Sequence, residues 1–285
     1  GAGPIVVTMP GGTAVIHARV AEYSTDVVQV FQAEHNDGVS LIVSFRGTQF
    51  DLTKPGTAIG DLLQDARGAT INNATPTNPW TGETMDKGKV GAGFYARANN
   101  YMSSAKGHAL RDRLLELEGQ SLDIHVVGHS LGAIASQLFS FFCAQYLEQQ
   151  QFDQDTFRLF NFAFNTPRGV NETFHGEFIA LANRGWFTPM NLTVNRDPVS
   201  EWTLDFSRSN IWSPNDISKK IRNYCPHGAQ LPRTDRCGSL DNHWMDEDRI
   251  DRWRNPSEAN WPTGIAYCMR EGYAPLVLRS VAATE

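Results

Sequence analysis

Apolar residues gather in short runs along this chain, and the spacing within each run predicts its element. Residues 13–32, "TAVIHARVAEYSTDVVQVFQ", hold β-branched runs separated by turn residues and read as one or two strands. "HNDG" at 35–38 is a turn signal, and "VSLIVSF" at 39–45 is a continuous apolar strand suited to the centre of a parallel sheet. From Met102 to Leu117 the apolar positions fall at 102, 105, 109, 110, 114 and 117, which is a helical spacing. "SLDIHVVG" (121–128) reads as a strand. "LGAIASQLFSFFCAQYL" after Ser130 is apolar on most sides and reads as a helix buried from several directions. "FRLFNFAF" (157–164) and "PMNLTVN" (189–195) are further strands. Strands alternating with helices from 39 to 195 predict an α/β fold with a mostly parallel central sheet, right-handed crossovers and helices on both faces.

Two stretches break the alternation. Residues 49–90 are rich in Gly, Thr, Asn and Pro, with a short helix predicted near 59–66, and the region after 200 is loop-rich with scattered Trp and Pro. Long loops in compact domains tend to be functional or mobile. No repeat or linker divides the chain, so residues 1–285 read as a single domain.

Composition narrows the class. The 285 residues carry a formal charge of −6, and no Lys/Arg cluster is visible, which argues against nucleic acid as a partner. Hydrophobic residues make up 41% and charged residues 20%, an ordinary globular balance. No apolar stretch approaches the roughly 20 residues of a membrane span. The start, "GAGPIVVTMP", lacks a basic leader region, so no uncleaved signal peptide is visible; a mature secreted chain is compatible with it. Of the four cysteines, Cys143 sits in the apolar helical run and reads as a small buried hydrophobe. Cys225 and Cys237 bracket "CPHGAQLPRTDRC", a plausible local disulfide, against the alternative of four free thiols. The N-x-T sequons at Asn73, Asn171 and Asn191 carry little weight by themselves.

"GHSLG" at 128–132 carries the chemistry. A strand ends before it and an apolar helix follows, the context of a nucleophile elbow. Such a turn forces Ser130 into a strained backbone, and the flanking glycines keep Cβ atoms from clashing with the neighbouring strand and helix. The hydroxyl then stands above a helix N-terminus, whose dipole favours a developing anion. The plain alternative is a tight turn with an idle serine.

A serine needs a base, and the base an orienting acid. In α/β-hydrolases they follow in the order Ser, Asp/Glu, His. Asp197, in "NLTVNRDPVS" just past a strand, is the candidate acid; the alternatives are a turn-capping role before Pro198, or Asp205 as the acid. Two histidines come after Asp197. His243, in "SLDNHWMDEDRI", is favoured over His227 inside the cysteine loop. His129, next to Ser130, projects away from it. The oxyanion hole calls for the N–H of Leu131 and a second donor from an earlier strand end. "SFRGTQ" offers Thr48, with Gly47 allowing close backbone approach.

These blocks together resemble the class 3 lipases, which include fungal triacylglycerol lipases, plant phospholipases A1 and fungal feruloyl esterases. "SFRGT" resembles the family's oxyanion block, "VGAGFY" (90–95) its Val-x-x-Gly-Phe block, and "VVGHSLG" its elbow. "FNTPRGVNETF" is similar to the block after the next strand, where the family usually has a glycine in place of Asn165. "VNRDPVS" and "LDNHW" resemble the acid and histidine blocks. The resemblance spans about residues 39–246 and implies an α/β-hydrolase fold with a triad of Ser130, Asp197 and His243. Thr48 and Leu131 would form the oxyanion hole.

Two departures stand out: the family's N-terminal helix is not evident, and the usual lid position holds the polar, Pro- and Gly-broken "QFDLTKPGTAIG". A second excursion, 70–89 with Trp80, competes for the role of lid.

The expectation is therefore a secreted serine esterase acting on lipid or small ester substrates, touching a lipid surface transiently. It would need no metal or cofactor. A phospholipase A1 or toxin-like membrane lipase is the alternative within the class. A non-catalytic binding module on a hydrolase fold is the alternative outside it.

Overall fold

The computed structural model describes residues 4–8, 14–35, 38–47, 73–167, 169–194 and 230–231. Strands β1 (Ile5–Thr8), β2 (Ala14–Arg19), β3 (Val28–His35) and β4 (Gly38–Phe45) run in chain order along one side of the sheet, paired antiparallel. A two-stranded ribbon, β5 (Asn73–Ala74) with β6 (Val90–Gly91), stands apart. Strand β7 (Leu122–His129) then pairs parallel with β4, β8 (Phe157–Phe164) with β7, β9 (Thr188–Val194) with β8, and β10 (Gln230–Leu231) with β9. The eight strands form one sheet whose four parallel pairings hold its central and C-terminal part.

The helices are α1 (Ala92–Met102), α2 (Ala105–Glu116), α3 (Leu131–Gln149) and α4 (Glu172–Asn183). Fifteen of the nineteen residues of α3 are buried, as its all-round apolar sequence demands. Strands β7 and β8, α1 and α4 all pack against it. Phe141 lies 4.9 Å from Phe174 of α4, and Phe139 lies 5.4 Å from Phe45 of β4, ring centre to ring centre. On β7, Leu122, Ile124 and Val126 are buried while Asp123, His125 and Val127 alternate with them at half burial.

The helix expected over Met102–Leu117 is present as α2, Ala105–Glu116, while its first apolar position, Met102, instead ends α1. The break falls at Ser103–Ser104, because the Ser104 hydroxyl accepts from the Gly107 N–H at 3.1 Å and starts α2 afresh. Helix α1 escaped the sequence reading although Phe94, Ala98, Tyr101 and Met102 bury at helical spacing. The glycines at its start and the polar run "ARANN" hid that pattern, and packing on α3 overrides both.

The 73–89 part of the long excursion is pinned to the core. Trp80 is buried against Phe139 and Tyr146, and its indole N–H donates to the Met102 carbonyl at 3.0 Å. The Asn78 amide donates to the Phe142 carbonyl at 2.8 Å. Trp80 is thereby removed from the candidates for a swinging lid. The rival lid at 49–60, the short helix near 59–66 and the Cys225–Cys237 pairing lie outside the described residues.

Cys143 is a free thiol with no exposed surface, and burial pushes its pKa far up, so it behaves as the buried hydrophobe expected. Among the described residues, no helix is long and apolar enough to cross a membrane.

Candidate active site

Strand β7 delivers the chain to Ser130, and α3 starts on the next residue. Ser130 has φ 55 and ψ −125, a left-handed backbone that a residue with a Cβ adopts only under constraint. The constraint is on both sides. The Ser130 N–H donates to the Phe164 carbonyl at the end of β8 at 2.9 Å, and the Ser130 carbonyl accepts from Ala133 at 2.9 Å.

The two motif glycines leave no room for a side chain. A Cβ on Gly128 would lie 2.2 Å from the Gly132 carbonyl oxygen, and one on Gly132 would lie 2.3 Å from that of Phe45. Strand end, turn and helix start are therefore in backbone contact with one another and with the end of β4.

The Ser130 side chain is buried and its Oγ makes no hydrogen bond to a described residue. A buried hydroxyl left unpaired costs free energy, so such a group asks for a functional explanation. It does not cap α3. Leu131 is the first helical residue, so its N–H has no partner within the helix and points with its neighbours out of the positive end. No acidic residue occupies the first turn of α3 to compete for that end. The arrangement can hold a nucleophilic oxygen beside a group of N–H donors.

His129 belongs to the strand face opposite the one that carries Gly128 toward α3, in keeping with its exclusion as the base. The end of β4 reaches the elbow as the sequence suggested: a Cβ on Gly47 would lie 2.9 Å from the His129 carbonyl oxygen. The next residue, Thr48, lies outside the described residues, as do Asp197, Asp205, His227 and His243. Of the expected site, the structure thus describes Ser130 and Leu131 and the approach to Thr48.

Two features at the site were visible in the sequence without disclosing their roles. Asn165, immediately after β8, has φ 49 and is fully buried. That conformation favours glycine, and asparagine is among the few other residues that tolerate it. Asn171 caps α4 through its bond from the Phe174 N–H at 3.0 Å. The same side chain accepts from the Lys89 N–H at 2.8 Å and donates to the Lys87 carbonyl at 3.0 Å. It ties the segment before "VGAGFY" to the block after β8, and the Gly91 N–H donating to Gly169 at 2.8 Å adds to the tie. The sequon at Asn191 falls on a buried residue that accepts from the Thr166 hydroxyl. Among the described residues, no group of three or more His, Cys, Asp or Glu is placed to hold a metal ion.

The family model for Lipase (class 3) matches residues 42–206. A comparison with curated proteins finds no match. Among solved structures, the native Rhizomucor miehei lipase propeptide complex is similar at a TM-score of 0.50 and 13% identity, covering 85% of this chain and 68% of that one. A deletion mutant of the same complex matches at a TM-score of 0.42 and 17% identity. That match covers 60% of this chain and spans 45% of the length of the other. A triacylglycerol lipase from Penicillium expansum matches at a TM-score of 0.47 and 15% identity, with 88% of this chain and 82% of that chain covered. With the family match, the likeness to the native complex gives the fold, an α/β-hydrolase with a largely parallel sheet, and at 13% identity it speaks to the fold alone.

Proposed function

Because the chain belongs to the class 3 lipase family, we propose that it is a serine hydrolase that cleaves carboxylic esters, lipid esters such as triacylglycerols foremost, from a secreted location. The observation that carries the reading is the backbone of Ser130, φ 55 and ψ −125, between β7 and the N-terminus of α3. Strain of this kind, of order 1–3 kcal/mol, persists where the surrounding structure holds it in place. Here it lifts one hydroxyl to the head of a helix.

His243 takes the proton of Ser130 Oγ as that oxygen attacks the ester carbonyl, and Asp197 holds the imidazole in the right tautomer. Both roles rest on chain order and on the motif blocks. The negative charge moves to the carbonyl oxygen of the tetrahedral intermediate, where the N–H groups of Leu131 and Thr48 receive it. Collapse expels the alcohol, which takes the proton from His243, and leaves the acyl group on Ser130. Water then attacks the acyl-enzyme, giving a proton to His243. Collapse of the second intermediate returns that proton to Ser130 and frees the acid. The triad works by proton transfer and hydrogen bonding alone. Membership of the lipase family supports lipid esters as the substrate class; contact with a lipid surface would be transient.

The test is labelling with a fluorophosphonate probe, followed by a panel of soluble nitrophenyl esters, a triglyceride emulsion and a phospholipid. Labelling confined to Ser130, and ester hydrolysis lost in Ser130→Ala, is the expected outcome. An unlabelled Ser130 and no hydrolysis of any substrate would favour a binding module on a hydrolase fold.

A further inference from the structure

Arg97 stands on α1, outside every motif associated with the reaction, yet its guanidinium reaches the end of β4. Its Nη2 donates to the Arg46 carbonyl oxygen at 2.6 Å and to the Gly47 carbonyl oxygen at 3.3 Å. The contacts join residues 51 and 50 positions apart in sequence. We infer that Arg97 is a positioning residue for the oxyanion hole, acting through the Gly47–Thr48 peptide. The inference rests on the proposed function.

The reason is covalent. The Gly47 carbonyl and the Thr48 N–H belong to one planar trans peptide, so they point in opposite directions across it. Holding the oxygen with a cation therefore sets the direction in which the N–H is presented. It also polarises the unit, since a hydrogen bond at the carbonyl strengthens the donor at the other end. The bond to Arg46 is charge-assisted and short, and it fixes the preceding peptide in the same way.

The surroundings leave this stretch little other freedom. The Arg46 N–H donates to the Val27 carbonyl at 2.9 Å. On the elbow side, Gly47 abuts the His129 carbonyl and Gly132 abuts the Phe45 and Arg46 backbone. Arg97 closes the other side. Its helix is anchored by Phe94, Ala98, Tyr101 and Met102, all buried, so the guanidinium is offered from a rigid element. Lysine would not substitute well, because one nitrogen, Nη2, reaches both carbonyls from a planar guanidinium that fixes its N–H directions, and an ammonium on a flexible stem lacks that fixed geometry.

The experiment compares wild type, Arg97→Ala and Arg97→Lys on a soluble nitrophenyl ester, with thermal unfolding of each and with guanidinium ion added at millimolar, non-denaturing concentration. Loss of a whole oxyanion donor costs about 10²–10³ in kcat, so loss of its positioning is expected to cost about 10- to 100-fold in Arg97→Ala. KM should change by less than about twofold, as for an interaction made in the transition state. Guanidinium should restore part of kcat in Arg97→Ala and leave wild type unaffected. Full kcat in Arg97→Ala, or a loss of kcat without rescue that follows a fall in melting temperature, overturns the inference. Should Arg97→Ala not fold, Arg97→Lys carries the test through its own kcat, and wild-type kcat there overturns it. Wild type without Ser130-dependent hydrolysis would fail the proposed function itself. An active wild type beside an indifferent Arg97→Ala fails this inference alone.

Discussion

Gly132 and Phe45, 87 positions apart (132 − 45), approach so closely that a Cβ on the glycine would lie 2.3 Å from the Phe45 carbonyl oxygen. The first turn of α3 thereby rests by backbone contact on the end of β4. Gly132→Ala must push one of them away, and neither is a flexible side chain. We expect it to lower stability by about 2–3 kcal/mol, the upper part of the overpacking range, and to depress kcat. Thermal unfolding with the melting temperature of wild type would count against this packing.

Ser130 sets activity against stability. Glycine adopts φ 55, ψ −125 without a steric penalty, whereas alanine keeps it. Ser130→Gly should therefore lose hydrolysis as fully as Ser130→Ala while unfolding at higher denaturant than Ser130→Ala. The gap should be about 1 kcal/mol after the entropy of the unfolded glycine is counted. Equal midpoints for the two variants would mean that the turn is unstrained.

The two histidines after Asp197 separate the reading of the base. His243→Ala should cut kcat by about 10⁴-fold or more, since triad members act as a unit, and His227→Ala should keep most activity. The reverse result would move the base into the Cys225–Cys237 segment.

Gln137, inside α3, is fully buried, and neither its amide oxygen nor its nitrogen has a hydrogen-bond partner among the described residues. Burial of an unpaired amide is costly, and methionine matches its length. Gln137→Met should raise the free energy of unfolding by about 1–2 kcal/mol with kcat unchanged. A drop in stability in a denaturant titration would show that the amide is satisfied.

His125 stacks on Phe160 and Phe162, at ring separations of 5.4 and 6.2 Å. Desolvation holds its pKa below the ordinary histidine value; Asp123 draws it up, and His17 and Arg158 push it further down. A lowered folded pKa means that the unfolded chain binds the proton more readily. The contribution of the neutral ring is present above the unfolded pKa of about 6.5 and is lost as pH falls below it, down to the folded value. Unfolding free energies from about pH 7.5 to about pH 5 should decline more in wild type than in His125→Phe. Parallel curves would remove His125 as the source.

The periodicity of the chain determined the strands at 39–45, 121–128, 157–164 and 189–195 and the buried helix after Ser130, because each satisfies its burial locally, by spacing. The elbow was legible for the same reason: Gly128, Ser130 and Gly132 are demanded by a turn five residues long. Asn165 shows the limit. Its place in the motif was visible, but the reason glycine is usual there is a left-handed φ that no spacing reveals. The break between α1 and α2 turned on one hydroxyl choosing the Gly107 N–H over helix continuation. The excursion that read as a possible lid became core in its 73–89 part, because Trp80 and Asn78 found partners on α1 and α3. Arg97 was least legible of all. A guanidinium on a helix surface looks the same in sequence whether it meets water or two carbonyls some fifty residues away. Only the packing of α1 on α3 beside the end of β4 decides which.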